Sequence, residues 1–379
     1  MSRPVHVALN LVFLVPGETG GMEVYARELL PRLAATPGLR VTSIVNEVAA
    51  ADRDAPWNAI DGTVVAPVDA RDRRQWVWGE QRHVPRIASE AGADLVHSLA
   101  STGPGRLVGG PPRVTTVHDL HYAVAPEAHF GLRGLGMRVL VPAAVRASVR
   151  VIADSQSTKD DVAAHIGTPA DRIDVVHLAT TLPDPSIATA EVALRRSLGL
   201  GERPVLLSMA AKRPHKNVEG LIDALAGIPS ERRPLLVVPG YATEHEPALR
   251  LHAAARNVTD DVRFPGWLSG ADVEGLWGLA VAHVFPSFYE GFGLPVLEAM
   301  ARGVPGACSD RASLPEVAGE AALLFDPSDA ASIREAILRL TGDEELRGQL
   351  RARGLERAAT FSWERAAAET TRTYELALG

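Results

Sequence analysis

The sequence predicts an α/β protein of two doubly wound, parallel-sheet domains, and three observations carry that prediction. The chain has 379 residues, more than a single growing core accommodates, so two domains of ordinary size are expected. Short β-branched or apolar runs alternate with longer amphipathic segments, the pattern of βα units around parallel sheets. Between two series of such units, "TTLPDPSIATA" (Thr180 to Ala190) is rich in proline and small polar residues and holds no period, so it reads as a linker. The boundary falls near Pro183, giving domains at residues 1–183 and 184–362. Ligands bind outside the carboxyl ends of parallel strands, so a cleft where both sets of strand ends meet is the expected site.

The elements follow in order. "MSRPVHVALNLVFLVPG" has the apolar look of a leader, but it lacks a small-residue cleavage site. "GGMEVYARELLPRL" then follows with helical period, so strand, turn and helix is the reading. "VTSIV", "TVVAPV", "DLVHSL", "RVTTVHDL", "RVIADS" and "DVVHLA" complete the strands of the first half. Among them, "GLRGLGMRVLVPAAVRASVR" (Gly131 to Arg150) is basic and roughly amphipathic. Pro142 and its glycines favour a helix packed on the first sheet, and a peripheral contact with an anionic membrane surface is the second reading. The second half offers "PVLLSMA", "PLLVVPG", "VRFPGWL", "VAHVFPS", "GACSD" and "ALLFD". After "LLFDPSD" the pattern turns helical through "DAASIREAILRL", "DEELRGQLRARGLERAA" and "SWERAAAETTRTYELAL".

Composition narrows the function. At 46% hydrophobic and 22% charged, with mean hydropathy +0.03, the chain reads as soluble and globular, with no bilayer span. A net charge of -7 and pI near 6.0 argue against a nucleic-acid partner. The one cysteine, Cys308, excludes an internal disulfide framework and a multi-cysteine zinc site and fits a reducing cytoplasm. In "GVPGACSD" it reads as a packing residue. Of 39 basic residues only Lys159, Lys212 and Lys216 are lysines, so the pair in "AAKRPHKN" stands out as a place that needs a compact ammonium.

Four constellations carry chemistry. In "VAHVFPSFYEGFGLPVLEAM" a strand ends at a glycine turn, and Pro295 suits the first turn of a helix, where its missing N–H costs nothing. Gly291 and Gly293 let the backbone approach a ligand, and the amides around Phe292, Gly293 and Leu294 make an anion site. Glu290 and Glu298 flank it. Carboxylates there are counterproductive against an anion but suit hydroxyls, one on a sugar and one on a ribose, at either end of a diphosphate. Singly, each glutamate also reads as a solvated or first-turn carboxylate. In the second constellation, Lys212, Arg213 and Lys216 follow a strand end, as a phosphate site or as a merely solvated basic loop, and Lys216 at a helix N-terminus opposes the macrodipole until an anion binds. In the third, Gly20 and Gly21 join the first strand to the first helix, bringing amides to a phosphate or merely serving the turn. In the fourth, His118 in "TTVHDLHY" sits at a strand end as a donor to a sugar. His118 with His121 finds no further ligand set at metal spacing, so no metal is expected. "DRD" (Asp52 to Asp54) reads as solvated charge.

These residues resemble the retaining, GT-B-type glycosyltransferases of family 4, which have two facing Rossmann-like domains. Phe285 to Pro327 is similar to that family's signature of two glutamates with seven residues between them. The likeness runs from "GGMEVYARELL" through "VHDLH", "ADSQSTKDD", "HKN" and "FPGWL" to the C-terminal helices. It implies a metal-independent hexosyltransferase with a nucleotide-diphosphate sugar as donor substrate, no other cofactor, and a glycan, lipid-linked or small-molecule acceptor. Glu290, His118 and Lys216 take the catalytic positions. Glu290 and the Phe292–Leu294 amides hold sugar and diphosphate, Glu298 the ribose, Lys216 the leaving diphosphate, and Gly20 and Gly21 close on it from the N-terminal domain. The last helix, residues 363–379, crosses back onto that domain. Ala210 and Ala211 stand where the family commonly has glycine followed by arginine or threonine, which leaves open whether Lys212 or Arg213 is the second phosphate cation. The glutamate segment also looks like bacterial mannosyl- or rhamnosyltransferases. A sugar-nucleotide epimerase, a phosphorylase-like enzyme and a silent sugar-nucleotide sensor use similar domains. The implied location is cytoplasmic, or peripheral to the inner face of the membrane.

Overall fold

A computed structural model of the protein describes residues 3–105, 109–124, 132–181 and 183–379, with backbone only at 132–135. The chain divides into two compact units, residues up to Leu178 together with Ser362–Gly379, and Ala179–Phe361. The division lies just before the expected boundary near Pro183, where the chain leaves its last paired strand.

The N-terminal unit opens with β1 (Val5–Leu11), α1 (Gly21–Ala34), β2 (Leu39–Val45), α2 (Glu47–Ala50), β3 (Val64–Val65) and α3 (Arg73–Glu90). It continues with β4 (Leu95–Ser98), β5 (Arg113–Val117), α4 (His121–Val124), α5 (Leu132–Ala147), β6 (Arg150–Ala153), α6 (Gln156–Ile166) and β7 (Ile173–Val175). The sheet order is β3-β2-β1-β4-β5-β6-β7 and the recorded pairings are parallel. Its central strands are apolar because helices cover both faces. Val84, Ile87 and Ala88 of α3 pack with Ala8, Val12, Ile44 and Val96. Val141 and Val145 of α5 pack with Val117, Val151 and Val162, so the described part of the 131–150 segment is a helix on the sheet, Pro142 included. Gly131 lies outside the described residues.

The Ala179–Phe361 unit holds α7 (Glu191–Leu198), β8 (Val205–Leu207), α8 (Val218–Ala226), β9 (Leu235–Val237), α9 (Glu246–Ala255), β10 (Val262–Arg263) and α10 (Gly270–Leu279). There follow β11 (Ala280–Phe285), α11 (Leu294–Ala301), β12 (Gly306–Ser309), α12 (Leu314–Ala318), β13 (Ala322–Phe325), α13 (Ala330–Gly342) and α14 (Glu344–Ala358). Its parallel sheet runs β10-β9-β8-β11-β12-β13. Cys308 is fully buried in β12, and burial pushes its thiol up to about 12.

The last helix, α15 (Trp363–Leu378), starts at Ser362, whose side chain accepts from Arg365 N, and packs on α1, β5 and β6. Its buried residues Trp363, Ala366, Ala367, Thr370 and Tyr374 recur at helical spacing, the stripe an amphipathic helix turns to a core. Among the described residues no helix is long and apolar enough to cross a membrane.

Both sheets place a topological switch between neighbouring strands, β1 and β4 in one and β8 and β11 in the other. Outward crossovers on opposite sides leave a crevice beyond the carboxyl ends there. The loops after these strands carry most of the residues singled out from sequence.

Candidate active site

In the Ala179–Phe361 unit the loops after β8 and β11 are stitched together. Phe288 N donates to His215 O at 2.9 Å, and Ser287 Oγ lies 3.2 Å from the same carbonyl. A short turn, Pro214–Lys216, precedes Asn217, which caps α8 from a left-handed conformation (φ 55°) and ties to Pro327 O through Nδ2 at 2.7 Å. That turn directs Lys216 sideways rather than along the helix. Its Nζ donates to Glu290 Oε1 at 2.5 Å, with the two side chains 18% and 13% exposed. The ammonium also sits 5.6 Å from the Phe285 ring centroid, an additional attraction of about 0.5–1 kcal/mol. The structure thus brings two of the three expected catalytic residues into direct contact at the switch point.

The glycine turn between them and α11 is built for close approach. Gly293 caps α11 at φ 108°, and a Cβ there would stand 2.5 Å from Leu314 Cδ2, so any other residue is strained by its backbone and needs the Leu314 side chain to move. No side chain caps α11; Pro295 has no N–H and Val296 N bonds Gly293 O at 3.0 Å, so Leu294 N is the first-turn amide left to a ligand. Gly291 and Leu294 complete the turn, and Phe292 is buried edge-on against Phe361, 5.8 Å between centroids. Ser313, buried and ahead of α12, does not cap that helix. Its Oγ instead reaches Glu290 O at 2.9 Å and Phe292 O at 2.7 Å, holding the loop that carries Glu290. Glu298 lies one turn into α11, half-buried, and its carboxylate makes no hydrogen bond among the described residues. Burial, opposed by Arg302 and reinforced by Glu274, holds that carboxyl above the usual carboxylate range.

Lys212 corrects an expectation. Its side chain is completely enclosed, with Nζ 2.6 Å from Gly240 O and 3.4 Å from Glu246. Burial lowers its pKa against the pull of Glu246. It ties the loops after β8 and β9 together rather than presenting a cation to a phosphate. Arg213 is exposed, and its guanidinium has no ion pair or hydrogen bond among the described residues, so of the two it is the one free to meet an anion.

In the N-terminal unit, Gly20 precedes α1 at φ 65°, ψ -133°, a conformation open essentially to glycine alone. Gly20 and Gly21 are exposed and no side chain caps the helix. Glu23 shapes the approach by accepting from Gly17 N at 2.7 Å while binding Arg27, which also pairs with Asp52 at 2.7 Å. Beside the switch, Asn10, Ser98, Thr102 and Glu80 form a buried cluster. Thr102 Oγ1 and Asn10 Nδ2 lie 3.0 and 3.3 Å from Glu80 Oε1, and burial pushes Glu80 up to about 7.

His118 departs from the expected sugar donor. Its Nδ1 lies 2.7 Å from Asp154 Oδ2 and its Nε2 2.8 Å from Leu99 O. A carboxylate and a carbonyl only accept, so both ring nitrogens carry protons and His118 is an imidazolium with neither N–H left for a hydroxyl. Burial pushes its pKa down, but Asp154 outweighs burial, with Leu99 O and Asp119 assisting, so it titrates above 6.5. A raised folded value means the pair's contribution to stability is complete below pH 6.5 and is lost as pH rises through the folded pKa. In Asp154→Asn, burial acts with its main opponent removed and His118 titrates below 6.5. Ring ¹⁵N shifts followed against pH check this, and an unchanged titration would show that Asp154 does not hold the charge. Tyr25 lies edge-on to His118 and 3.1 Å from Thr116, which also meets His97, itself 2.7 Å from Tyr374 of α15.

Ser313, Asp154 and the Glu80 cluster were not found from sequence. Ser313 carried a cap signal and does something else. Asp154 was findable only with the register, since Val117 faces Ala153 and the next residues on the two strands are His118 and Asp154.

Two Rossmann-ordered sheets with their polar and glycine-led loops at the switch points define the GT-B class of glycosyltransferases. A family model described as Glycosyltransferase Family 4 matches residues 19–181, and one described as Glycosyl transferases group 1 matches residues 192–357. O-antigen chain mannosyltransferase B of Escherichia coli is 33% identical over 266 residues, 69% of this chain and 70% of that protein. D-inositol 3-phosphate glycosyltransferase of Streptomyces bingchenggensis is 28% identical over 417 aligned positions, 99% of this chain and 90% of that one. Anabaena HepE in complex with UDP-glucose has the same fold, with a TM-score of 0.74 at 20% identity, covering 98% and 99% of the two chains. The chain belongs to glycosyltransferase family 4.

Proposed function

We propose that the protein is a retaining, metal-independent hexosyltransferase, with mannose the leading sugar, that acts from a nucleotide-diphosphate donor on an acceptor hydroxyl. The observation that carries this is the Lys216–Glu290 pair beside the uncapped tip of α11. Without ligand, the ammonium and carboxylate neutralise each other. A donor exchanges both partners: a diphosphate oxygen takes Lys216 and the Gly293 and Leu294 amides, and sugar hydroxyls donate to Glu290. Glu298, open and one turn further along α11, takes the ribose hydroxyls. Mannose is favoured by the mannosyltransferase activity for which the E. coli relative is named.

In the reaction the bond from the anomeric carbon to the diphosphate oxygen breaks and a bond from the acceptor oxygen forms on the same face. The acceptor's proton goes to the departing phosphate oxygen. Charge grows on that oxygen, so a fixed ammonium and preorganised amides stabilise the transition state more than the ground state. Lys216 and the helix tip are two such clamps, sufficient in this reading without a metal. In the N-terminal unit, the start of α1 behind Gly20 and Gly21, which no side chain caps, is a second set of amides suited to an anion. His118, paired with Asp154, adds positive charge at the carboxyl edge of the N-terminal sheet, and contact with a sugar hydroxyl requires its Leu99 bond to exchange.

The test is incubation with a panel of nucleotide sugars. The reading expects slow release of free nucleoside diphosphate from one donor, mannose-bearing donors first, and faster release when an acceptor is supplied. Interconversion of sugars without release would replace it with an epimerase, and binding without turnover with a sensor.

A further inference from the structure

Ala312 is the odd residue in the backbone. Among the described residues three that are not glycine adopt positive φ, Asn217 at 55°, Asn257 at 58° and Ala312 at 51°. Asparagine tolerates that region because its short amide bonds the local backbone, whereas alanine has nothing to offset the crowding of its Cβ. A residue so placed persists only where its surroundings hold it. The turn that carries Ala312 follows β12 and is pinned on both sides. Asp310 N donates to Phe325 O at 2.9 Å, and Arg311 N to the buried Ser309 Oγ at 3.1 Å. The Arg311 guanidinium reaches Asp326 at 3.1 Å, and Leu314 N closes the turn on Arg311 O at 3.2 Å.

The strained turn delivers Ser313. This residue enters α12 already helical, at φ -77° and ψ -13°, rather than extended as a capping serine is, and its hydroxyl makes no bond to the α12 amides. It meets instead two carbonyls of the glycine turn, Glu290 O and Phe292 O. A hydroxyl has one proton, so the two carbonyls share it. A trans peptide carries its C=O and N–H on opposite sides of a rigid plane, and none of the described bonds is cis. With the carbonyls of 290 and 292 turned onto Ser313, the N–H groups of Gly291 and Gly293 are turned the other way. The Gly293 N–H meets no acceptor among the described residues, and the Glu290 side chain leaves the backbone at the first of these two planes.

We propose that Ser313 is a positioning residue for the transfer: its shared proton fixes the tilt of both peptide planes, which aims the Glu290 side chain and the Gly293 N–H, and the strain at Ala312 is what places the hydroxyl there. The effect on transfer rests on the proposed function; the aiming of the turn does not. Without the hydroxyl both carbonyls lose their donor, and the planes rock because Gly291 and Gly293 have no Cβ to limit them. Glu290 then acts from a scatter of positions, and a misplacement of about 1 Å costs up to about 10²-fold in rate.

The experiment compares wild type, Ser313→Ala, Ala312→Gly and the double variant, each as the full chain. Three quantities are read: steady-state turnover of the donor found in the nucleotide-sugar panel, the melting temperature, and hydrogen exchange of the peptide spanning residues 288–297. In Ser313→Ala, kcat falls about tenfold to a hundredfold with KM for the donor nearly unchanged, the mark of an interaction that acts in the transition state. Exchange in that peptide quickens by at least about tenfold, the sign of a turn that opens locally. Ala312→Gly melts higher, because glycine adopts positive φ without strain, and turns over as wild type. The double variant regains the stability lost in Ser313→Ala but keeps its low kcat. Should Ser313→Ala fold poorly, Ser313→Cys, with a weak donor in the same place, lowers kcat in the same direction. Recovery of kcat together with stability in the double variant would show that Ser313 acts through stability alone and overturns the proposal. So does near-normal turnover in both Ser313 variants, unchanged exchange over 288–297, or a melting temperature that Ala312→Gly fails to raise. A wild type that turns over no donor refutes the proposed function instead, and the exchange then decides the aiming of the turn by itself.

Discussion

In Glu290→Gln, transfer from the nucleotide sugar falls by about 10³-fold or more, the scale of losing a charged group that acts in the transition state, while the fold survives. The survival follows from the local structure. The amide oxygen of glutamine still accepts from Lys216, and the loop remains held by Ser313 on the carbonyls of residues 290 and 292. What disappears is the charge that takes a sugar hydroxyl and the field it exerts on the anomeric carbon. Steady-state turnover with the donor identified in the panel, beside a thermal melt, separates the two. A variant that turns over near the wild-type rate refutes the role given to Glu290.

Lys216→Ala has the second large effect, on a different quantity. Affinity for the nucleoside diphosphate falls by about 10²-fold, near the 3 kcal/mol upper range of a charge-assisted bond. Affinity for the bare nucleoside stays as it was. The deletion also leaves Glu290, 13% exposed, as an uncompensated carboxylate beside the incoming phosphate, so the loss includes repulsion. Some stability goes for the same reason. Titration calorimetry with diphosphate and nucleoside checks the split. Equal losses for both ligands would mean that Lys216 merely supports the fold.

The glutamate segment was legible because its chemistry is local: strand, glycine turn, proline and helix follow one another within "VFPSFYEGFGLPVLEAM", and each step has a backbone reason. The strands of both units were legible for a similar reason, since helices on both faces turn them into short apolar runs. Contact between Lys216 and Glu290 was not. They follow β8 and β11, which neighbour each other only because β9 and β10 were laid down on the other side, and no local period encodes that order. Lys212 misled because a lysine in a polar loop reads as solvated, whereas its stem spans from one strand end to the next and spends its ammonium on Gly240 O and Glu246. His118 was placed at a strand end, but its charge depends on Asp154, 36 residues away, and pairing across strands is set by register.

The central claim is that the Lys216–Glu290 pair opens to receive the two halves of a pyrophosphate-linked sugar. A crystal structure of the protein with its nucleotide-sugar donor measures this directly. The account predicts Lys216 Nζ and the Gly293-side amides of α11 within hydrogen-bond distance of the diphosphate, with Glu290 accepting from the sugar. A donor bound elsewhere, with Lys216 still joined to Glu290, would contradict it.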